Sequence, residues 1–229
     1  MTFQRYAIYY APPADAGWSR FATRWLGWDM ERGTEAPHPE VSDLPLPVAE
    51  ITATPRKYGL HATIKPPFRL AGGETRAGLE DACAALCARL APLRLDGLAL
   101  ARLGRFLALR PSGDTAALEA LAARAVEALD GFRAPAPEAE LARRRAAGLS
   151  PAQEANLTRW GYPYVMEEFR FHITLSGKLG KDDLAAVEAA LDRDLVPLLP
   201  VPFEIADLAL MGEDEAGRFH LIHRYTLAG

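Results

Sequence analysis

The sequence predicts an α+β fold: two duplicated strand–helix–strand–strand lobes, each an antiparallel sheet with helices on one face, set about a central cleft with pseudo-twofold symmetry. Three observations predict it. A strand around His61, a helix, Leu98-Ala99-Leu100 and Gly104-Arg105-Phe106 recur in order as a strand around His172, a helix, Leu208-Ala209-Leu210 and Gly217-Arg218-Phe219. The offsets are 111, 110 and 113 residues, constant within three. Both histidine strands alternate polar and apolar residues, the pattern of a half-buried strand. Finally, 229 residues are enough for one large domain or two small lobes. The expected organisation is a single bilobal domain over 1–229. Lobe 1 covers about 12–130, lobe 2 about 150–229 and a connector 131–149, with the N-terminal strand 4–11 of unassigned lobe.

The elements follow in order. Arg5–Ala11 is a strand closed by Pro12-Pro13. Asp15 caps a helix whose face carries Trp18, Phe21, Trp25 and Leu26, a core stripe. The proline-rich stretch 33–55 is an irregular connection, with His38 in solvent. Lys57–Lys65 is the second strand. A helix over Glu74–Leu90 buries Leu79, Cys83, Leu86 and Leu90. Leu93–Leu100 and Gly104–Arg110 are strands, and Asp114 caps a helix through Leu129. Residues 130–150 form a mobile connector with a short helix, whose Arg143-Arg144-Arg145 is either a solvated face or a grip on an anionic substrate. Ser150-Pro151-Ala152-Gln153 reads as a capped helix start. Glu168–Ser176 is a strand, Asp182 or Asp183 opens a helix through Leu195, and Phe203–Met211 with Arg218–Leu227 form a hairpin.

Composition narrows the function. The net charge is −4, which argues against a general nucleic-acid or membrane-surface binder, since those are basic. Cys83 and Cys87, four apart on one helix face, are core residues rather than a disulfide framework. There is no signal-peptide pattern and no run of ~20 apolar residues. A cytoplasmic monomer is expected, with no membrane partner and no extended nucleic-acid surface.

The chemistry lies in the two alternating strands. In Tyr58-Gly59-Leu60-His61-Ala62-Thr63-Ile64-Lys65, the residues His61, Thr63 and Lys65 share one face. In Phe169-Arg170-Phe171-His172-Ile173-Thr174-Leu175-Ser176, that face carries Arg170, His172, Thr174 and Ser176. Two histidines titrate near neutrality, so one can take a proton while the other gives one. Thr63 and Thr174 can donate to an anion, and Lys65 and Arg170 add charge. This set suits in-line displacement at phosphorus, with a base, an acid and oxyanion donors. Tyr58 and Tyr162 are further phosphate-site candidates; Tyr58 reaches the cleft only if Gly59 bends the chain. No carboxylate cluster accompanies the histidines, so neither a metal nor another cofactor is expected. A weaker reading is a metal-dependent hydrolase using His61, His172 and Glu168. Another is a non-catalytic module that binds a nucleotide or phosphate ester in the same cleft. His220 and His223 fall on opposite strand faces and read as structural.

The motifs His61-Ala62-Thr63-Ile64 and His172-Ile173-Thr174-Leu175 resemble the paired H-x-[ST]-hydrophobic signatures of the 2H phosphoesterase superfamily. Arg5-Tyr6-Ala7-Ile8-Tyr9, Trp25-Leu26-Gly27, Arg56–Thr63, Arg102-Leu103-Gly104 and Trp160–Val165 leading into Glu168–His172 resemble a bacterial branch named for phosphonate metabolism, the 1045 domain-of-unknown-function family. The resemblance implies a bilobal, metal-independent fold that hydrolyses a cyclic phosphodiester: a cyclic nucleotide, an RNA end or a ribosyl cyclic phosphate. It implies His61 and His172 as the acid/base pair, with Thr63 and Thr174 on the phosphate oxygens.

Overall fold

A computed structural model describes residues 2–229. Its strands are β1 (Arg5–Tyr10), β2 (Trp28–Asp29), β3 (Thr34–Glu35), β4 (Ala62–Phe68), β5 (Leu93–Leu95), β6 (Gly97–Leu103), β7 (Phe106–Ser112), β8 (Ile173–Thr174), β9 (Phe203–Ile205), β10 (Asp207–Glu213) and β11 (Phe219–Thr226). The helices are α1 (Gly17–Leu26), α2 (Val48–Ile51), α3 (Arg76–Cys87), α4 (Ala116–Ala128), α5 (Glu138–Arg145), α6 (Pro151–Trp160) and α7 (Lys181–Asp194). No helix among the described residues is long and apolar enough to cross a membrane.

The fold is α+β, but the two expected sheets are one. Seven strands pair antiparallel in the order β11-β10-β1-β4-β8-β7-β6, beside the small pairs β2-β3 and β5-β9. The histidine strands β4 and β8 are neighbours through the pair Ala62↔Ile173, and this single bridge makes the sheet continuous. The β6–β7 hairpin lies against β8, and the β10–β11 hairpin lies beyond β1 from β4. Each side of the sheet therefore draws strands from both halves of the sequence, and apart from the small β2–β3 pair neither 12–130 nor 150–229 has a sheet of its own. The repeat is visible in part: β6 and β10, which carry the Leu-Ala-Leu triplets, each lie two strands out from the central pair. β7 and β11 do not match in this way, because β1 takes the place that β11 would need.

Alternation splits the core. Tyr6, Ile8 and Tyr10 of β1 and Leu208 and Leu210 of β10 join the large cluster with Trp25, Leu79, Leu118 and Val187 from the helices. Ala7, Tyr9, Ala11, Ala209 and Met211 face the other way and pack with Trp28, Met30 and Phe219. The helix-covered face holds most of the apolar burial. The other face is left to carry polar groups.

Local signals account for several boundaries. The Ser150 hydroxyl accepts from the Gln153 N–H while the Gln153 side chain accepts from the Ser150 N–H, the capping box expected at α6. The helix expected from Glu74 starts at Arg76, where the Thr75 hydroxyl caps α3 by accepting from the Gly78 N–H. α1 starts at Gly17 without a side-chain cap from Asp15. Cys83 and Cys87 are buried and free. His38 is not simply solvated: its Nδ1 lies 3.1 Å from the carbonyls of Arg24 and Trp25, at the C-terminal end of α1. His220 pairs with Asp214 at 2.8 Å inside the hairpin.

Candidate functional site

A cleft of about 600 Å³ opens on the face away from the main core, lined by His61, Thr63 and Thr174 together with Tyr9, Tyr58 and Tyr162. The central register explains why these residues meet. Ala62 opposite Ile173, both fully buried, fixes the antiparallel phase. One residue either way, His61 falls opposite Thr174 and Thr63 opposite His172. Directly opposed residues share a sheet face, so all four motif side chains project from the face opposite to that of Ala62 and Ile173. In this register each histidine stands across from the threonine of the other motif; His61, Thr63 and Thr174 line the cleft, and His172 stands just outside that lining, beside Phe106, which does line it.

Neither histidine lies within a strand as expected. The second strand starts at Ala62 rather than Lys57. Arg56–Tyr58 is a 3-10 turn, and Gly59 takes φ 71°, a left-handed value that favours glycine. That bend brings the Tyr58 ring to 5.9 Å from the His61 ring, on the cleft. The expected Glu168–Ser176 strand shrinks to Ile173–Thr174, preceded by the 3-10 turn Met166–Glu168. Only at this crossing does the segment reach ladder partners on both sides.

The imidazoles are held alike. His61 Nδ1 lies 3.0 Å from the Gly59 carbonyl, and His172 Nδ1 lies 2.8 Å from the Arg170 carbonyl. A carbonyl only accepts, so Nδ1 carries hydrogen in both rings. In neutral His61, Nε2 is then the proton acceptor; it lies 3.3 Å from the Thr63 hydroxyl. The ring stacks on Tyr9 with centroids 3.9 Å apart. His172 leans on Phe106 at 6.2 Å.

Burial first, and then the nearby His172, push the His61 pKa from 6.5 down to about 4, against the Gly59 hydrogen bond. Between about 4 and 6.5 the unfolded chain binds a proton that native His61 refuses. Native stability therefore falls as pH drops through that window, and His61 adds no further loss below it. Part of the ring still faces the cleft, so the effect is on the order of 2 kcal/mol. His61→Gln removes this contribution. Urea denaturation at pH 7 and pH 4 should show the wild type losing more stability than the variant; equal losses would contradict the assignment.

Two expected residues are elsewhere. Lys65 is only 1% exposed on the helix side, its Nζ 3.1 Å from the Val126 carbonyl and 3.4 Å from Asp130 Oδ1. The cause is a bulge. β1 pairs Tyr9 with Thr63 but Ile8 with Lys65, so Ile64 is an extra residue in β4. Past it the alternation reverses and Lys65 joins Ile8 on the core side. Arg170 does not line the cleft: its guanidinium turns back to the Glu167 and Phe169 carbonyls at 2.8 and 2.6 Å. The 3-10 turn just before it presents those carbonyls. Glu168 is also elsewhere, accepting from Gln153 Nε2 at 2.8 Å.

Burial pulls the Lys65 pKa down to about 8, against the pull of Asp130. An apolar side chain of similar length avoids that desolvation, and Asp130 keeps Arg133 Nε at 2.7 Å. Lys65→Met is therefore expected to unfold in urea at pH 7 with a free energy within ~1 kcal/mol of the wild type, or above it. A loss of several kcal/mol would show that the ammonium is required for folding.

The sequence reading missed most of the charge. Arg5, Lys57, Arg143, Arg144 and Lys178 line the cleft, and among the described residues no carboxylate does. Of the two readings of Arg143–Arg145, the structure puts Arg143 and Arg144 on the cleft, while Arg145 bonds Glu154. Arg5 and Tyr9 share a strand face by simple alternation, but no local signal says that this face adjoins His61. That follows from the pairing of β1 with β4.

Comparisons with known proteins identify a family without naming a reaction for this chain. It is 37% identical over 223 residues to a protein from Janthinobacterium sp. (strain Marseille), and 38% identical over 216 residues to one from Laribacter hongkongensis (strain HLHK9). Both are named ribose 1,5-bisphosphate phosphokinase PhnN. The alignments cover 93% of this chain but 48% and 49% of those proteins, so the chain spans about half the length of the curated relatives it matches. Among solved structures, E. coli LigT complexed with 3′-AMP aligns over 100% of both chains at 16% identity and TM-score 0.43. TT0787 of Thermus thermophilus aligns over 98% of both at 16% identity and TM-score 0.44. Residues 63–220, from the first motif threonine to the last hairpin, match one family, and the chain belongs to it: the family described as protein of unknown function (DUF1045).

Proposed function

We propose that the cleft hydrolyses a cyclic phosphodiester by two-histidine acid–base catalysis, without a metal ion. The observation that carries this reading is the central register: Thr63 and Thr174 lie on β4 and β8, and His61 and His172 directly precede those two neighbouring strands, in phase with the threonines. His61, kept neutral by burial, takes a proton from water through Nε2 as the water oxygen bonds to phosphorus. The ester P–O bond breaks, and His172 gives its Nε2 proton to the leaving oxygen. The Thr63 and Thr174 hydroxyls donate to the non-bridging oxygens, and the surrounding cations stabilise the charge that builds there. The product is a phosphate monoester with a free hydroxyl. Proton inventory balances: one proton leaves water, one reaches the leaving group, and the two histidines exchange states.

The donor set supports the metal-free form. Divalent ions are held by carboxylates or by three-ligand clusters, and Glu168, the carboxylate such a reading would recruit, is bound to Gln153. The substrate class rests on chemistry shared with the relatives' printed name, a phosphorylated ribose. Their kinase activity is not carried over. The pattern Gly-x4-Gly-Lys-Ser/Thr that cradles a nucleotide triphosphate does not occur in this sequence.

The test is a screen of the protein in EDTA against 2′,3′-cyclic nucleotides, ribose cyclic phosphates and 2′–5′-linked RNA, followed by phosphorus NMR. Conversion of at least one to a monoester is expected. Tight binding of these compounds with no product would replace catalysis by a binding role. Activity that vanishes in EDTA and returns with added metal would restore the metal reading.

A further inference from the structure

We infer that the cleft holds a second anion subsite, formed by Arg144 with Arg143 beside Tyr162, and that the substrate carries a second, non-reacting phosphate. This rests on the proposed phosphodiester chemistry and names the substrate class of the same site.

Topology gives the cleft a direction. Along β4 the lining runs from Gly59 through His61 and Thr63 to Pro66 and Pro67. β1 runs alongside it, with Tyr9 opposite Thr63 and Arg5 four residues further on. At ~3.3 Å per residue, Arg5 lies about 13 Å along the sheet from Tyr9. The histidines thus have cleft beyond them, toward the Arg5 and Pro67 end. An isolated cyclic phosphate does not fill that length.

Charge at this site is only partly compensated: Glu140 pairs with Arg144, while Arg144 Nε and Arg143 have no carboxylate partner among the described residues. Arg144 is 19% exposed, with Nη2 on Glu140 at 2.6 Å and Cζ 4.6 Å above the Tyr162 ring. Its Nε is buried with no hydrogen-bond partner, the one side-chain atom of that kind among the described residues. Among the described residues no carboxylate comes within ion-pair distance of neighbouring Arg143. Arg5, like Arg144, has a carboxylate on its guanidinium, but Glu213 takes both Nε and Nη2 and leaves Nε satisfied. Helix α5, which carries Arg143 and Arg144, buries none of its residues, so packing alone does not account for arginines directed at a cleft.

The aromatic lining argues against a nucleobase as the distal group. Tyr9 is stacked on His61, Tyr58 is stacked on Phe219 with the Lys57 ammonium 4.9 Å over its ring, and Tyr162 lies under Arg144. Three of the four aromatic rings lining the cleft thus have a face taken by protein groups; the fourth, Phe106, lies beside His172, at the reacting phosphate rather than the distal group. What remains open is positive charge, which a phosphate monoester satisfies.

The experiment compares kcat/KM on a ribose cyclic phosphate with and without a phosphate on the 5-oxygen, with adenosine 2′,3′-cyclic phosphate as the nucleoside arm. The wild type should prefer the 5-phosphorylated sugar over both by roughly 10- to 100-fold, the range of a charged hydrogen bond. Arg144→Gln should remove most of that preference, and Arg143→Gln part of it. Arg110→Gln, a cation outside this cleft, should keep the full ratio. A wild-type ratio near one, or an Arg144→Gln variant that slows all substrates equally, overturns the inference. Titration with ribose 5-phosphate reads the subsite without turnover. Binding should weaken at least ~10-fold in Arg144→Gln and hold in Arg110→Gln. Unchanged binding in Arg144→Gln also overturns it. If the wild type turns over no cyclic substrate, the proposed reaction fails, and the titration alone decides the subsite.

Discussion

His61→Ala and His172→Ala should each lower kcat on a cyclic phosphodiester by roughly 10²- to 10⁴-fold, the range of a lost general acid or base. The effect should fall on kcat more than on KM, because the imidazoles act on protons in flight while the threonines and cations hold the phosphate. The two rings are pinned alike, Nδ1–H on the Gly59 carbonyl and Nδ1–H on the Arg170 carbonyl. Each therefore presents one nitrogen, Nε2, to the reaction. Groups that act as one unit are not additive, so the double variant should be little slower than the slower single. Rates are measured in EDTA with circular dichroism to confirm folding. Either single variant hydrolysing at the wild-type rate would sink the two-histidine mechanism.

Much of this site was legible in the sequence because it is written in local pattern. His61, Thr63, His172 and Thr174 sit at period-2 spacing beside apolar residues, and alternation alone puts each pair on one face. Tyr58 was legible through Gly59, since a glycine three residues from a strand's first ladder pair can supply the φ 71° bend. Lys65 was not. Its face depends on an extra residue in β4 that only the pairing with β1 defines. Arg170 failed for a different reason: strand parity gives the direction of Cβ, and a long side chain can then turn back to its own turn's carbonyls. The sheet followed the same rule. The sequence shows which segments are strands and which recur, but not that β8 sits between β4 and β7. Strand order is a long-range choice, made by which apolar faces cover each other. Arg5 came to the cleft by that same choice, through the pairing of β1 with β4.

Trp25→Ala is expected to lower the unfolding free energy by about 3–5 kcal/mol, the cost of removing a large buried side chain from a close-packed core. Against a typical stability of roughly 5–15 kcal/mol, that loss is a large part of what holds the fold. Trp25 is fully buried, and its indole N–H donates to the Leu175 carbonyl at 2.8 Å. It does two jobs at once. Its ring fills the space between α1 and the sheet, and its N–H fastens the chain directly after Thr174, in a strand segment with only two ladder residues. Trp25→Phe separates these roles, because the ring volume largely stays while the donor goes. The Leu175 carbonyl then loses a buried partner, at a cost of about 1–3 kcal/mol. Since β8 has so little ladder of its own, the Phe variant should also blur the position of Thr174 and raise KM for the phosphodiester without a matching fall in kcat. Urea denaturation followed by far-ultraviolet circular dichroism measures both variants without relying on tryptophan fluorescence. An Ala variant that loses less than ~1 kcal/mol would mean the core closes over the missing ring. A Phe variant with normal stability but raised KM would mean the indole N–H positions the site without holding the fold.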